Sequence, residues 1–163
     1  MDFAKVLNAF TAAVETGDGA ALAALFTEEG VYHDGFYGAF RGRAAIAEML
    51  EEHFWGAAKD FKWDMLDPAM AGQVGYARYL FSYTSTMPES EGQRVIFDGM
   101  ACFHFANGLI TEYFEIFEAA VAQAQIGFAA ERIAKFAARK ARRLRDTASA
   151  AAHLSVVQGP THD

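Results

Sequence analysis

The second half of the chain has the period-two hydrophobic pattern of successive β-strands. Four segments alternate between apolar and polar residues and are separated by short, turn-rich stretches. These segments are residues 61–65, 75–87, 94–106 and 109–118. Asn107-Gly108, between the last two segments, is a strong signal for a tight hairpin. Because consecutive strands joined by short turns usually pair with one another, the pattern predicts a four-stranded antiparallel meander.

The first half of the chain has the three-to-four-residue hydrophobic spacing of amphipathic helices. The predicted helices are residues 3–16, 20–26 and 43–54. Residues 28–30 are expected to form a turn, residues 31–34 a short strand, and residues 35–42 a glycine-rich loop. The order of elements predicts an α+β fold in which helices pack on one face of a curved antiparallel sheet.

Residues 119–151 are rich in alanine, lack proline and predict one long helix, with a bend expected at Gly127. Residues 131–145 contain seven Lys or Arg and one Glu, whereas the rest of the chain carries a net charge of −13. We expect this basic helix to pack on the acidic body or on a second subunit. An anionic surface, nucleic acid or a groove in a partner protein are the alternatives. The predicted organisation is a domain at 1–118, a basic amphipathic helical extension at 119–151 and a flexible tail at 152–163.

Composition narrows the classes of function. A net charge of −7 disfavours nucleic acid as a partner. The sequence contains no apolar run long enough for a signal peptide or a membrane span, so a cytoplasmic protein with no membrane partner is expected. Cys102 is the only cysteine, which excludes an internal disulfide. The five histidines show no metal-ligand spacing and no glycine-rich phosphate motif is present, so neither a metal nor another cofactor is expected.

Three stretches of the chain resemble SnoaL-like and ketosteroid-isomerase-like proteins of the nuclear transport factor 2-like superfamily. They are residues 26–34, ending in Tyr32-His33-Asp34, residues 40–46, containing Arg41-Gly42-Arg43, and residues 105–117, containing Asn107-Gly108. The resemblance covers about residues 3–118. It implies a cone-shaped fold, with a curved sheet wrapped by helices around a deep pocket, and usually a homodimer.

The resemblance also implies which side chains could carry chemistry. Asp34 matches the position of the general base in the steroid isomerases. The two hydrogen-bond donors that bind an oxyanion there fall at Phe10 and Ala101, neither of which can donate. Since one such donor is typically worth ~10²–10³ in rate, steroid isomerase activity itself is not expected. Tyr37 or Tyr83 could supply a hydroxyl instead.

Strand alternation assigns directions to the neighbouring side chains. Tyr113, Glu115 and Phe117 share one face of the last strand, and we expect this face to point toward the cavity. If the opposite face is the inner one, Glu115 is a surface charge. His33 is expected to point away from Asp34, and so is Tyr32. Asp34 itself could instead cap the following loop. The residues predicted to line the ligand pocket are Phe10, Tyr37, Trp63, Tyr83, Ala101, Phe103, Tyr113 and Phe117.

These observations favour a homodimeric protein that binds a small, largely apolar organic molecule. Asp34 would act as general base, with Glu115 as the acid or orienting group, in an isomerase, lyase or hydrolase reaction without a cofactor. The alternative is a ligand-binding or dimerisation module without chemistry, whose C-terminal helix mediates assembly. Its pocket would hold a ligand passively or be filled by side chains such as Phe10 and Phe103.

Overall fold

The computed structural model describes residues 1–155, and most of the predicted tail, residues 156–163, lies outside the described part of the chain. Residues 1–127 form one compact unit, and residues 128–155 belong to a second. The first unit is a curved six-stranded sheet with helices on one face, which confirms the predicted α+β fold.

The sheet has the strand order β2-β1-β6-β5-β4-β3. The strands are β1 (Phe26–Asp34), β2 (Gly38–Arg41), β3 (Ala58–Ala71), β4 (Val74–Ser85), β5 (Arg94–Ala106) and β6 (Leu109–Phe117). Strands β3 to β6 are the predicted antiparallel meander. Strand β1 pairs with β6 in parallel, and β2 pairs with β1 antiparallel within the segment expected to be a loop.

The turn predicted at residues 28–30 is wrong, because these residues continue strand β1. The pairing of β1 with β6 is irregular between Phe26 and Val31. Gly30 lies inside this irregularity, where an added Cβ would lie 2.9 Å from the Cβ of Phe26. The glycine therefore serves a close approach within a strand and not a reversal of the chain.

Three helical segments precede the meander. They are α1 (Phe3–Thr16), α2 (Gly19–Ala24) and α3 (Arg43–Glu48), the last of which continues as a π-helical segment, Met49–Phe54. The carboxylates of Asp2 and Asp18 accept hydrogen bonds from the amides of Lys5 and Ala21 and so cap α1 and α2. Helix α1 buries its apolar stripe, including Phe10, against the sheet.

The two faces of the sheet differ in what they contact. On β6, Tyr113 is fully buried whereas Ile116 is 74% exposed, so the face bearing Tyr113, Glu115 and Phe117 is the inner one. The register between β5 and β6 shifts at Phe105, which pairs with Ile110. This irregularity places the buried Ile110 on the inner face, whereas strict alternation from Tyr113 would place it on the outer one.

The C-terminal segment is helical but discontinuous. It consists of α4 (Ala119–Gln125), α5 (Ala130–Arg145) and α6 (Ala148–Leu154), and not of the single helix that was predicted. Gly127 has a positive φ of 78°, which ends helical geometry. Thr147 caps α6 by accepting a hydrogen bond from the amide of Ala150. In α5, none of the described residues is buried.

Candidate active site

Asp34 lies at the end of β1 with its side chain on the inner face, and the residue is 8% exposed. Its Oδ1 atom accepts hydrogen bonds from the amides of Phe36 and Tyr37, each at 2.7 Å. This carboxylate therefore caps the glycine-rich loop, as one of the two interpretations of the sequence expected. Two backbone donors also fix the position of the carboxylate at the inner face of the sheet.

Glu115 is half-buried on the inner face of β6 and accepts hydrogen bonds from two tyrosines. The hydroxyl of Tyr79 on β4 donates to Oε2 at 2.8 Å, and the hydroxyl of Tyr113 donates to the same oxygen at 3.1 Å. The backbone N–H of Gly35, in the loop that follows Asp34, is a further donor to this carboxylate. Donors from two strands and one loop thus converge on a single acidic side chain.

The surroundings of Glu115 raise its affinity for a proton. Burial, and then the negative charge of Asp34, raise the pKa of Glu115 from an ordinary 4.5 to about 7, against the opposing effect of its hydrogen bonds. Two carboxylates near one another cannot both ionise at little cost. Near neutral pH, Glu115 is therefore divided between its acid and its base form beside a second carboxylate.

The tyrosines around Glu115 remain neutral donors over the whole physiological range. Burial raises the pKa of Tyr79, Tyr113 and Tyr32 above the ordinary value of 10, and the charge of Glu115 raises each of them further. Tyr83 lies further along β4, and burial raises its pKa to about 12. Each hydroxyl therefore keeps its proton, and those of Tyr79 and Tyr113 donate it to Glu115.

On one side of Glu115, several of the predicted pocket residues form a packed aromatic cluster. Phe10 is fully buried at its centre, with its ring centroid 5.0 Å from that of Tyr113 and 5.4 Å from those of Trp63 and Phe103. Ala101 is also buried. This part of the interior is filled by side chains, as the alternative interpretation of the sequence anticipated for Phe10 and Phe103.

On the other side of Glu115, the remaining predicted pocket residues are more accessible. Tyr37 is 49% exposed, and Tyr83 and Phe117 are half-buried. Phe117 stacks on Phe97 at 4.7 Å. An added Cβ at Gly35 would overlap the ring of Phe117, so the absence of a side chain at Gly35 lets this ring lie against the loop. We call Tyr37, Tyr83 and Phe117, together with Phe97, the aromatic rim.

The side chains of Tyr32 and His33 lie on opposite faces of the sheet. Tyr32 is fully buried on the same face as Asp34, so the expectation that it points away was wrong; residues two apart in a strand share a face. His33 lies on the opposite face, as expected, where its Nε2 is 2.8 Å from Oε1 of Glu112. The Nδ1 atom of His104 lies 3.5 Å from the other oxygen of that carboxylate.

Sequence reasoning did not single out Tyr79 and Tyr32 as site residues. The available signal was alternation, because Tyr79 shares its face with Ala77 and Phe81, and Tyr32 shares its face with Asp34. Within residues 1–155, no group of three His, Cys, Asp or Glu side chains is arranged to hold a metal ion. In the same part of the chain, no helix is both long and apolar enough to cross a membrane.

The sequence profile of the SnoaL-like domain matches residues 7–113, and the chain belongs to this family. No curated protein matches it. Solved structures share the fold. A protein with a ketosteroid isomerase-like fold from Catenulispora acidiphila, crystallised with trimethylamine, is 18% identical, with a TM-score of 0.69 over 78% of this chain and 95% of that one.

Two further structures are similar at the same level. TsrD from Streptomyces laurentii is 19% identical, with a TM-score of 0.66 over 77% of this chain and 94% of that one. An LEH-like epoxide hydrolase from M. tuberculosis is 18% identical, with a TM-score of 0.62 over 75% and 86%. At these identities the similarity shows the fold and leaves the activity open.

Proposed function

We propose that this SnoaL-like protein is an enzyme that transfers a proton to and from a small, largely apolar organic molecule. The observation that carries the proposal is the pair formed by Asp34 and Glu115. One of these carboxyl groups holds its proton to about pH 7 because of burial and the charge of the other. A base and an acid within one site are what an isomerase, a lyase or a hydrolase without a cofactor requires.

Within this proposal the two carboxyl groups have separate roles. Asp34, held by two backbone amides, takes a proton from a carbon or from water. Glu115, in its acid form, gives a proton to the atom that gains negative charge. Tyr79 and Tyr113 hold the Glu115 carboxyl group in place through Oε2. The aromatic rim, including Tyr37 and Phe117, would contact the apolar part of the substrate.

The solved relatives indicate which reactions to try first. One of them is an epoxide hydrolase and another has a ketosteroid isomerase-like fold. Epoxides and ketones both carry an oxygen that gains charge during reaction, and both can be largely apolar elsewhere. We therefore propose water addition to an epoxide and proton transfer next to a ketone as the first two reaction classes.

The test is a turnover screen with small apolar epoxides, ketones and unsaturated acids, followed by Asp34→Asn and Glu115→Gln variants. Both variants keep oxygen acceptors for the surrounding donors. General acid–base catalysis typically contributes 10²–10⁴-fold, so each variant should lose roughly that factor in kcat/KM. Glu112→Gln, on the outer face of the same strand, is the matched control. Undiminished turnover in the Asp34 and Glu115 variants would refute the proposal.

A second candidate is a binding or dimerisation module without chemistry, and the outer face of the sheet favours the dimer. Large apolar side chains lie exposed on adjacent strands there, and we call them the outer apolar patch. They are Tyr76, Leu80, Ile96, Met100 and Ile116. Contiguous exposed apolar surface is typical of an interface, and we propose a homodimer through it. Ile116→Glu should shift the protein to a monomer in analytical ultracentrifugation, and an unchanged mass would contradict the dimer.

The two candidates differ in one measurable respect. If the protein only binds its ligand, Asp34→Asn and Glu115→Gln leave no catalytic rate to lose, because the unaltered protein has none. If the protein is an enzyme, these variants lose turnover while ligands still bind at the aromatic rim. Binding and turnover measured on the same variants therefore separate the two candidates.

A further inference from the structure

Helix α5 combines an apolar stripe with a strongly basic surface. Ile133, Ala137 and Leu144 recur at helical spacing and form the stripe, and Phe136 borders it. No residue of α5 is buried, and Leu144 is 68% exposed. Against the single Glu131, the helix carries seven basic residues, which are Arg132, Lys135, Arg139, Lys140, Arg142, Arg143 and Arg145. Apolar surface and positive charge therefore adjoin each other along the whole helix.

The positive charge exceeds what the helix itself can use. Arg142, Arg143 and Arg145 lie in the last turn, where cations interact favourably with the helix dipole. The other four basic residues lie further from that end. Lys135 and Arg139 are four residues apart, as are Arg139 and Arg143, and like charges at this spacing destabilise a helix. A negatively charged partner would relieve this repulsion.

Lys140 indicates which kind of partner suits the stripe. It lies seven residues after Ile133 and four before Leu144, so helical spacing places it within the apolar stripe. Its Nζ atom is 5.8 Å from the ring centroid of Phe136. A lysine at this position is costly to bury in a dry protein groove. At a lipid surface, its apolar stem can lie among the acyl chains while its ammonium group reaches the headgroups.

The other anionic partners match α5 less completely. The phosphates of a nucleic acid would pair with the basic residues, but they offer no apolar contact to Ile133 and Leu144. The rest of this chain carries a net charge of −13, so a second copy also supplies negative charge. Packing the stripe on the outer apolar patch of that copy would, however, bury Lys140 among apolar side chains.

We propose that α5 binds the surface of an anionic phospholipid membrane, with Ile133, Phe136 and Leu144 inserted among the acyl chains and the basic residues at the lipid phosphates. The 16-residue helix is about 24 Å long and lies in the plane of the surface. The expectation of no membrane partner was drawn from the lack of a spanning segment, and a helix in this orientation needs none. The proposal is independent of the chemistry at Asp34 and Glu115.

The test is co-sedimentation of the full chain with vesicles of phosphatidylcholine, either alone or with about 30% phosphatidylglycerol. The affinity for the anionic vesicles should be higher by about 30-fold or more, because each basic residue near such a surface contributes about fivefold. Raising NaCl from about 0.1 M to about 0.5 M should weaken this binding by about 10-fold or more, because salt screens the attraction.

A double variant tests the basic surface of α5. Arg139→Gln with Arg142→Gln removes two charges and keeps good helix formers, so binding to the anionic vesicles should weaken by about 10- to 30-fold. Lys5→Gln with Lys59→Gln is the matched control, because it changes the net charge equally at exposed positions outside α5. This control should bind as the unaltered protein does.

A single variant tests the apolar stripe. Leu144→Gln leaves the charge unchanged and should weaken binding by about 5- to 10-fold, because it removes one of the inserted side chains. Ala138→Gln is the matched control, since Ala138 lies three residues after Lys135 and four before Arg142, on the basic side of the same helix. Hydrogen–deuterium exchange with the anionic vesicles should show protection in peptides from α5 and none in those of residues 1–118.

Four outcomes would overturn the proposal. The first is equal binding, or no binding, to the two kinds of vesicle, and the second is undiminished binding in both α5 variants. The third is a DNA duplex that displaces the protein from the anionic vesicles at an equal concentration of phosphate, which would assign α5 to nucleic acid. The fourth is truncation after Gly127 that converts a dimer into a monomer, which would assign α5 to a second copy.

Discussion

The raised pKa of Glu115 predicts a specific dependence of stability on pH. In the unfolded chain this carboxyl group titrates near 4.5, and in the folded protein it titrates at about 7. The folded state therefore binds the proton more tightly. The stability that this proton provides is fully present below pH 4.5 and is lost as the pH rises through about 7. The whole interval corresponds to at most roughly 3 kcal/mol, because one pKa unit equals about 1.4 kcal/mol.

The prediction is tested with the variant Glu115→Gln, because a glutamine side chain cannot ionise but can still accept hydrogen bonds from Tyr79 and Tyr113. Urea unfolding at pH 5, 6, 7 and 8, followed by tryptophan fluorescence, gives the free energy of unfolding of the variant and of the unaltered protein. The variant should gain stability relative to the unaltered protein as the pH rises, by up to roughly 3 kcal/mol between pH 5 and 8. Glu89→Gln, at an exposed position in the turn before β5, is the control and should show a constant difference.

Removing the charge of Asp34 should lower the pKa of Glu115. Its negative charge is, after burial, the largest cause of the raised pKa of Glu115. Asp34→Asn keeps an acceptor for the loop amides but removes the charge, so the pKa of Glu115 should fall, as measured by carbon-13 NMR of the Glu115 carboxyl carbon. A pKa unchanged in Asp34→Asn, or a flat stability difference for Glu115→Gln, would refute the coupling of the two carboxyl groups.

Three other predictions concern stability. Gly35→Ala should lower the free energy of urea unfolding by about 1–3 kcal/mol, because its Cβ would collide with the ring of Phe117. Asp34→Ala should cost about 1 kcal/mol more than Asp34→Asn in the same assay, since only alanine leaves the two loop amides without an acceptor. In calorimetry, truncation after Gly127 should leave the Tm of the first unit within about 2 °C of that of the unaltered protein. Truncation after Glu118 also removes helix α4 with its hydrogen bonds to β5, and it should lower the Tm by about 5 °C or more.

The fold could be predicted largely from local pattern. The meander follows from alternation and from Asn107-Gly108, and the first helix follows from its apolar spacing and from Gly17 at its end. What local pattern could not give is the parallel pairing of β1 with β6, which joins distant parts of the chain. Residues 28–30 lie in the irregular part of that pairing, between Phe26 and Val31, and local pattern had predicted them as a turn.

The candidate site was predictable only in part for a related reason. Asp34 and Glu115 were named from alternation and from the family resemblance. The donors to Glu115 come from β4, β6 and the loop after Asp34, and only the register of the whole sheet shows that they meet. The orientation of Tyr32 could have been derived, since strand alternation already places it on the face of Asp34. The break at Gly127 was expected as a bend, and its φ of 78° shows that it ends a helix.

The parallel pairing of β1 with β6 also determines when the site can form. Asp34 and Glu115 are separated by about 80 residues along the chain, and the loop-closure entropy of so distant a pairing must be overcome before its contacts stabilise the fold. During synthesis, the helices and the first hairpins of the meander can assemble before the ribosome has released β6. The acidic pair exists only after the last strand closes the sheet, so the proposed chemistry is expected only of chains in which this sheet is complete.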